Sequence, residues 1–331
     1  MASQSEENCF QTPKKFTRQE NTPRKIITIP PSPFLEKLGY GTGVSVWKLN
    51  HPPAGNTIHS PWAIKNIRKN INAVQSDKYQ MLLKNEANLL RTLNHENIIG
   101  FRGYMKSQDG RNCLAMEVGG ESLGNMIETR CEEDLGPFPA KNILQVALSV
   151  AKALKYLHVE KKILHGDIKS FNIVIKDNFK EIKLCDFGVS LDLTDKNISD
   201  KYVGTPIYSA PECQERNKGT VTEKADIFSF GLILWEMISL FPPHVEDLME
   251  NESMCDSDFD VSLPDGDTST LTEYDNEENF GTRPPLPDIE LGPEYKPVIE
   301  IFYACTEQDP NKRPPASVLV DHLEMLLKNQ K

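Results

Sequence analysis

The strongest constraint on the fold is a polar segment at residues 165–172, HGDIKSFN, which directly precedes a β-favouring run at 173–175. A turn at 177–178 and a second β-favouring run at 182–184 follow, and they lead into residues 186–188, DFG. An ordinary polar loop or a chance tripeptide could account for either segment alone. Their positions on the two sides of one short hairpin favour a chemical role instead.

The residue types in these two segments suit the transfer of a phosphoryl group from ATP. Asp167 would accept the proton of a substrate hydroxyl and orient its oxygen for in-line attack. Lys169 would neutralise charge on the transferring group. Asn172 and Asp186 offer the oxygen ligands that Mg²⁺ prefers. We therefore expect ATP and Mg²⁺ as cofactors.

A glycine-rich stretch nearer the N-terminus, residues 39–46 (GYGTGVSV), lies between two strand patterns. Gly39, Gly41 and Gly43 would let the backbone approach phosphates without a Cβ clash. A glycine-rich hairpin turn is the alternative interpretation. Val44 stands where the GxGxxG pattern has its third glycine, so this loop departs from that pattern.

A lysine and a glutamate next in the chain form a candidate ion pair. Lys65 ends an apolar run, and Glu86 lies on the predicted helix that follows. An unpaired buried ammonium is costly, so Lys65 should have a partner if it is buried. It would then hold the α- and β-phosphates, with Glu86 fixing its position. The alternative is an edge-strand lysine that points into water.

The fifth feature braces the second half of the chain. It begins with Thr205 in a Gly-Thr-Pro sequence and continues to Glu212 in an Ala-Pro-Glu sequence. We expect Glu212 to form a buried ion pair with Arg313, and Asp226 to anchor the loop around Asp167. These roles are structural or regulatory, so substitutions should lower activity by loosening the site.

The order of these five features resembles that of the eukaryotic protein kinase superfamily over roughly residues 34–328. Lys169 resembles the form found in serine/threonine kinases, and residues 186–190, DFGVS, are similar to the MAP kinase kinases. The resemblance implies a kinase acting on serine and threonine of proteins, with stress-type MAP kinases among its substrates and a role in dividing cells. Whether tyrosine is also accepted stays open.

The resemblance also implies the fold and the nucleotide contacts. The fold would be α+β and bilobal, with a small β-rich N-lobe carrying one main helix and a larger, mostly helical C-lobe. Met116 resembles the gatekeeper, and Glu117 to Gly119 resemble the hinge that holds the adenine edge. Val46 and Ala63 are assigned to the same nucleotide site.

The chain divides into three predicted regions. Residues 1–33 are polar and rich in proline, which is typical of a disordered regulatory tail. Residues 34–119 would form the N-lobe and hinge, and residues 120–331 the C-lobe with an acidic insert at 245–280. Apolar spacing and helix formers predict helices at 76–92, along the stripe Ile143, Val146, Val150, Leu154 and Leu157, and at 225–240, 295–306 and 315–328.

The net charge of −11 is concentrated in the insert, where thirteen Asp and Glu occur without a Lys or Arg. The rest of the chain is therefore close to neutral, so no nucleic-acid partner is expected. The insert is either a solvated loop or a steering surface for basic substrates.

The apolar stretch 227–241 is shorter than the ~20 residues that a bilayer requires, so no membrane partner is expected either. Seven scattered cysteines indicate reduced thiols and a cytoplasmic and nuclear location.

The two ends of the chain differ in the partner signals that they carry. Thr12 and Thr22 precede proline and have a lysine or arginine further on, a pattern that predicts phosphorylation by a cyclin-dependent kinase. The C-terminus has Asn329 and Lys331 where a PDZ ligand needs Ser or Thr and an apolar residue. We expect no PDZ partner from these residues.

One departure from the family concerns regulation. Gly166 replaces the arginine that, in most kinases, grips a phosphate on the activation loop. We expect weak dependence on phosphorylation of that loop. Val44 and Gly166 also keep a second function open, that of a pseudokinase scaffold. The intact Lys65, Asp167 and Asp186 argue against it.

Overall fold

The computed structural model describes residues 35–41, 44–49, 61–68, 73–106, 110–244 and 279–329. In this part of the chain a β-sheet lobe precedes a mostly helical lobe, so the predicted α+β, bilobal fold is confirmed. The tail with Thr12 and Thr22, Gly43, and positions 245–278 of the acidic insert lie outside the described residues. The three region boundaries stay predictions.

The first lobe is built on a five-stranded antiparallel sheet in the order β1-β2-β3-β5-β4. Its strands are β1 (Leu35–Gly41), β2 (Val44–Leu49), β3 (Trp62–Ile67), β4 (Phe101–Lys106) and β5 (Asn112–Glu117). The two strand patterns on either side of the glycine-rich stretch are present as β1 and β2, and the apolar run that ends at Lys65 is part of β3.

The strand register places the predicted nucleotide contacts on one face of this sheet. Val46 lies opposite Lys65, and Ala63 lies opposite Met116. Directly opposed residues point to the same face, and alternate residues of one strand share a face. These four side chains therefore line a single face of the sheet.

One helix, α1 (Ala73–Leu90), packs against the sheet. It begins three residues before the predicted helix and ends two residues before the predicted end. Leu83, Ala87 and Leu90 are buried along its inner face. Glu86 shares that face because residues three and four apart are neighbours on a helix, and it is only 1 % exposed.

The second lobe contains short strands and six helices within the described residues. They are β6 (Glu121–Ser122), α2 (Leu123–Glu132), α3 (Ala140–Lys155), β7 (Ile163–Leu164), β8 (Ile173–Lys176), β9 (Glu181–Leu184), β10 (Leu191–Asp192), α4 (Ile198–Lys201), α5 (Lys224–Ser239), α6 (Lys296–Cys305) and α7 (Ala316–Lys328). All five residues of the predicted apolar stripe are buried. Leu157, the last of them, lies on a π-helix, Tyr156–Lys161, that continues α3.

Helix α5 forms the centre of the second lobe. Every residue from Ala225 to Ser239 is buried, so this apolar stretch is a core helix, as predicted. Among the described residues, no helix combines the length and the apolar character that crossing a bilayer would need.

A buried ion pair fastens the segment before α5 to the segment before α7. Arg313 donates from Nη1 and Nη2 to the two carboxylate oxygens of Glu212, at 2.7 and 2.8 Å. The guanidinium also lies over the ring of Phe228 and donates to the carbonyl of Glu307. Breaking one partner of such a pair typically costs about 3–5 kcal/mol, so this contact strongly restrains both segments.

The two lobes meet along a line of backbone contacts that we call the seam, formed by residues 97–99 and strand β9. The Ile99 amide donates to the carbonyl of Leu184 at 3.0 Å, and the Leu184 amide donates to the carbonyl of Asn97 at 2.9 Å. Asn97 Nδ2 donates to the carbonyl of Ile182 at 3.0 Å. The seam therefore joins the α1–β4 connection of the first lobe directly to the second.

Candidate active site

The β8–β9 hairpin brings the two predicted polar segments together. Ile173 pairs with Leu184 in the register, and the Cys185 amide donates to the carbonyl of Asn172 at 2.9 Å. Asn172 and Asp186 therefore lie beside each other at the same end of the hairpin. Residues 177–179 close the other end, with positive φ angles of 51°, 54° and 63°.

Four donors surround the carboxylate of Asp167. Thr205 donates to Oδ1 from its hydroxyl at 2.6 Å and from its amide at 3.3 Å. On the Oδ2 side, Asn172 Nδ2 donates at 3.0 Å and Lys169 Nζ forms an ion pair at 3.1 Å. Lys169 Nζ also donates to the hydroxyl of Thr205 at 3.0 Å. The structure therefore unites Asp167, Lys169, Asn172 and Thr205 in one cluster with a fixed carboxylate orientation.

Asp226 holds the backbone that carries Asp167. Its carboxylate accepts hydrogen bonds from the amides of His165 and Gly166, each at 2.9 Å, and lies 2.8 Å from His158 Nε2. Burial acts to raise the pKa of Asp226, but its contacts with His158, His165 and the Gly166 amide outweigh burial and lower that pKa. The anchoring geometry expected from the sequence is present.

Gly166 adopts a backbone conformation that favours glycine. Its φ is 82°, and a Cβ at this position would lie 3.3 Å from the carbonyl oxygen of Val189. The left-handed region costs other residues roughly 1–2 kcal/mol. The glycine therefore relaxes this turn while removing the side chain that kinases usually place there.

Lys65 is a buried cation shared by two carboxylates. Its Nζ lies 2.9 Å from Glu86 Oε2 and 2.8 Å from Asp186 Oδ1. Burial acts to lower the pKa of Lys65, but the two carboxylates outweigh it and raise that pKa, so the ammonium stays charged. The lysine is therefore paired, and the edge-strand alternative does not apply.

The two carboxylates that share Lys65 differ in acidity. Burial raises the pKa of Glu86 to about 7, and Lys65 opposes this only in part. Burial also acts to raise the pKa of Asp186, but Lys65 and the Gly188 amide bring that pKa down to about 2. A single lysine cannot fully offset both carboxylates, and Asp186, the more exposed of the two, is the one that stays ionised over the whole neutral range.

The oxygen atoms of Asn172 and Asp186 fit a magnesium ion. The Asp186 side chain is 41 % exposed, and its carboxylate is ionised. Asn172 Nδ2 donates to two oxygens of Asp167, which orients the amide oxygen to the opposite side. Within the described residues no cluster of three or more His, Cys, Asp or Glu could hold a metal alone. One carboxylate and one amide oxygen suit Mg²⁺, which is commonly held by one or two carboxylates together with substrate phosphates.

The nucleotide residues occupy the sheet face and its edge. Gly39 and Gly41 lie on β1, opposite Val46 and Val44 of β2. At the hinge, a Cβ on Gly119 would lie 2.2 Å from Val174 Cγ2, so only glycine lets this backbone approach β8 so closely. Gly43 falls outside the described residues.

The structure shows two sets of contacts that were not predicted from the sequence. Glu117 forms ion pairs with Lys183 on β9 and with Arg102 on β4, the latter at 3.5 Å. A second set joins Ser170 and Tyr208 to Glu236. The only sequence signal for this second set is a glutamate inside the apolar stretch that becomes α5.

The thiol beside Asp186 belongs to the packing of the site. Burial, together with the neighbouring Asp186, raises the pKa of Cys185 to about 12. Cys185 is therefore a neutral thiol near pH 7. Nucleophilic chemistry needs the thiolate, so Cys185 has no such role in this arrangement.

Comparison with known proteins places these features in one family. The family described as "Protein kinase domain" matches residues 33–323. The human lymphokine-activated killer T-cell-originated protein kinase is 46% identical over 325 residues, covering 95% of this chain and 97% of that protein.

More distant relatives share the same region. The Dictyostelium discoideum protein "Kinase and exchange factor for Rac B" is 32% identical, and the match covers 74% of this chain and 20% of that protein. A mitogen-activated protein kinase kinase of Pyricularia oryzae, MST7, is 29% identical over 87% of this chain and 62% of its own length.

We predict that Lys65→Met lowers kcat/KM for ATP by about 10²–10³-fold, because the buried cation that would hold the α- and β-phosphates is lost. Steady-state kinetics at several ATP concentrations measure this. Lys176→Met is the matched control, since in the described part of the chain Lys176 forms ion pairs with the exposed carboxylates of Asp177 and Glu181. Activity of Lys65→Met within twofold of the wild type would contradict the assignment.

Proposed function

Because this chain belongs to the protein kinase family, we propose that the cluster around Asp167 and Lys65 transfers the γ-phosphoryl group of ATP to hydroxyl groups of proteins. The chain is a serine/threonine protein kinase. The observation that supports the residue assignment is the convergence of Asp167, Lys169 and Asn172 with Asp186 and Lys65 at one end of the hairpin.

In the proposed reaction, each polar residue has one task. Asp167 accepts the proton of the substrate hydroxyl as its oxygen forms the bond to the γ-phosphorus. The bond from that phosphorus to the bridging β–γ oxygen breaks, and ADP leaves. Lys169 stabilises charge on the transferring group, and Lys65 holds the α- and β-phosphates.

Magnesium, when bound, supplies charge neutralisation at the phosphate oxygens. Asn172 and Asp186 are the residues that would hold it. Because the carboxylate of Asp186 is ionised and already oriented by Lys65, it needs no deprotonation to take this part.

We predict that Asp167→Asn abolishes transfer from radiolabelled MgATP to a generic basic protein, with a loss of about 10²–10⁴-fold, the usual contribution of a positioned general base. Asp177→Asn, in the turn at the far end of the hairpin, is the matched control and should keep wild-type activity. Nucleotide binding by both proteins is measured in parallel.

Two results would count against this assignment. If the wild type and Asp167→Asn bind nucleotide but neither transfers phosphate, the pseudokinase scaffold is favoured. If both transfer phosphate equally, the base lies elsewhere.

Purified stress-type MAP kinases serve as acceptors in the same assay. They are proposed substrates because the sequence at 186–190 is similar to the MAP kinase kinases and one relative bears that name.

We also propose that activity depends only weakly on phosphorylation of the activation loop, the segment between Asp186 and Glu212. Gly166 has no side chain to bind a phosphate, and the segment is already held by other contacts. Ser190 Oγ donates to the carbonyl of His165 at 2.9 Å, and Lys201 pairs with Asp195 at 2.5 Å. The Ser190 contact restrains the start of the segment without a phosphate, and the exposed Lys201–Asp195 pair adds little to it.

The corresponding prediction compares enzyme treated with phosphatase and enzyme phosphorylated on that loop. We expect less than a tenfold difference in kcat. Without an arginine at position 166, a phosphate on the loop would form an exposed ion pair, and such a pair contributes only about 0.2–1 kcal/mol. Mass spectrometry verifies the phosphorylation state of each sample. A difference on the order of a hundredfold, about 2.7 kcal/mol, would contradict the proposal.

The N-terminal tail is the proposed point of control. Thr12 and Thr22 are proposed substrates of a cyclin-dependent kinase, which would link the enzyme to mitosis, and we propose a cytoplasmic and nuclear location. We predict that mass spectrometry finds Thr12 phosphorylated in protein from mitotic cells and much less so in protein from interphase cells. Unmodified Thr12 in mitotic protein would exclude this form of control.

A further inference from the structure

A glutamate with no part in the reaction above lies beneath the site. Glu236 is on α5 and is 2 % exposed. Its Oε1 accepts a hydrogen bond from the hydroxyl of Ser170 at 2.7 Å and one from the hydroxyl of Tyr208 at 2.9 Å. Its Oε2 is buried and has no hydrogen-bond partner among the described residues.

The two donors belong to different segments of the active site. Ser170 follows Lys169 in the catalytic loop. Tyr208 lies three residues after Thr205, whose hydroxyl bonds to Asp167. Together with the contact between Lys169 and Asp167, these interactions form a closed ring that runs from Asp167 through both segments and back through Glu236.

A further contact fastens the same segment to α5. Ser229 Oγ donates to the carbonyl of Tyr208 at 2.7 Å, two turns before Glu236 on the helix. The backbone of Tyr208 is thus held by Ser229, and its hydroxyl is held by Glu236. Loss of the Glu236 contact would free the aromatic side chain of Tyr208 and the side chain of Ser170 without releasing the backbone of the segment 205–208.

We propose that Glu236 is a positioning residue that sets the distance between the catalytic loop and the segment 205–208 through Ser170 and Tyr208. It touches neither phosphate nor the acceptor hydroxyl. Its effect reaches Asp167 from two directions, through the chain at residues 167–170 and through Thr205.

The surroundings of Glu236 favour its uncharged form. No described Lys or Arg forms an ion pair with it. Burial raises the pKa of Glu236 to about 8, the hydrogen bonds from Ser170 and Tyr208 oppose this, and Glu128 on α2 adds to it. Tyr208, which faces it from the activation segment, has a pKa raised well above 10 by its own burial, so it remains a donor. At neutral pH the ring is therefore held mainly by a neutral carboxylic acid.

This charge state has a definite consequence for pH dependence. Ionisation above about pH 8 places an unpaired negative charge beneath the catalytic loop. The folded-state pKa is raised above the ordinary value of 4.5, so the stabilising effect of the proton is complete below pH 4.5 and is lost as pH rises to 8. A neutral amide at this position would not show this loss.

The test compares Glu236→Gln, which keeps the shape and the acceptor oxygen, with Glu236→Ala. Transfer to a protein substrate is measured from pH 6.5 to 9.5, with kcat and KM determined separately for the protein and for ATP. We expect the kcat of the wild type to fall above pH 8, and we expect Glu236→Gln to keep kcat near pH 7 without this fall at higher pH. Glu236→Ala should lower kcat or raise the protein KM by about tenfold, with the KM for ATP changed less than twofold.

Two further variants address the ring itself. Ser170→Ala and Tyr208→Phe each remove one donor to Glu236, and their effects should be less than additive with that of Glu236→Ala, because all three break the same ring. If Glu236→Ala fails to fold, the double variant Ser170→Ala/Tyr208→Phe replaces it. That double variant should show the same tenfold loss in the protein-dependent parameters.

The controls separate positioning from general stability. Leu323→Ala, on the buried face of α7, should lower the melting temperature without changing the pH profile, and Glu300→Gln, on the exposed side of α6, should change neither. The proposal is overturned if Glu236→Ala keeps the wild-type kcat and protein KM. It is also overturned if Glu236→Gln is as impaired as Glu236→Ala, or if Leu323→Ala reproduces the altered pH profile.

Discussion

The hydrogen bonds that Asp226 accepts from the backbone of residues 165 and 166 are the contact on which the rest of the site depends. They fix the catalytic loop to a helix that has almost no contact with water. An unsatisfied buried donor typically costs about 1–3 kcal/mol, so neither amide can leave this carboxylate freely. Further along the same helix, Ser229 and Glu236 hold the segment that faces the loop. A rigid core helix thereby positions two loops that would otherwise be mobile.

Lys65 on β3 connects the second lobe, with its core helix α5, to the first lobe. Lys65 comes from the sheet, Glu86 from α1 and Asp186 from the end of the hairpin, so one ammonium joins three separate elements. Two carboxylates share a single positive charge, and this leaves a net negative charge in the cleft around Asp186. Such an imbalance suits a divalent cation, and it explains why the pKa values of the two carboxylates move in opposite directions.

The sequence predicts the parts of the site that have a local pattern. The two strands of the β8–β9 hairpin, the five helices α1, α3, α5, α6 and α7, and the polar segments around Asp167 and Asp186 follow from periodicity and spacing. The Glu212–Arg313 pair is expected from the Ala-Pro-Glu feature of the sequence. The sequence does not predict contacts between residues far apart in the chain that have no pattern of their own. Glu236 and Ser170 are 66 positions apart, and Glu117 and Lys183 join strands of different lobes. Only the packing of α5 and the seam brings these groups into reach.

The seam also determines how the cleft can open. Because residues 97–99 are hydrogen-bonded to β9, the lobes cannot separate there without breaking backbone contacts. Relative motion must then be a rotation about this line, as in a lever with a fixed pivot. In the sheet order β1-β2-β3-β5-β4, the strands β4 and β5 lie near the pivot and β1 lies farthest from it. A small angular change at the pivot becomes a larger displacement at β1, so the strand that carries Gly39 and Gly41 can move relative to the second lobe while Asp167 and its partners stay in register.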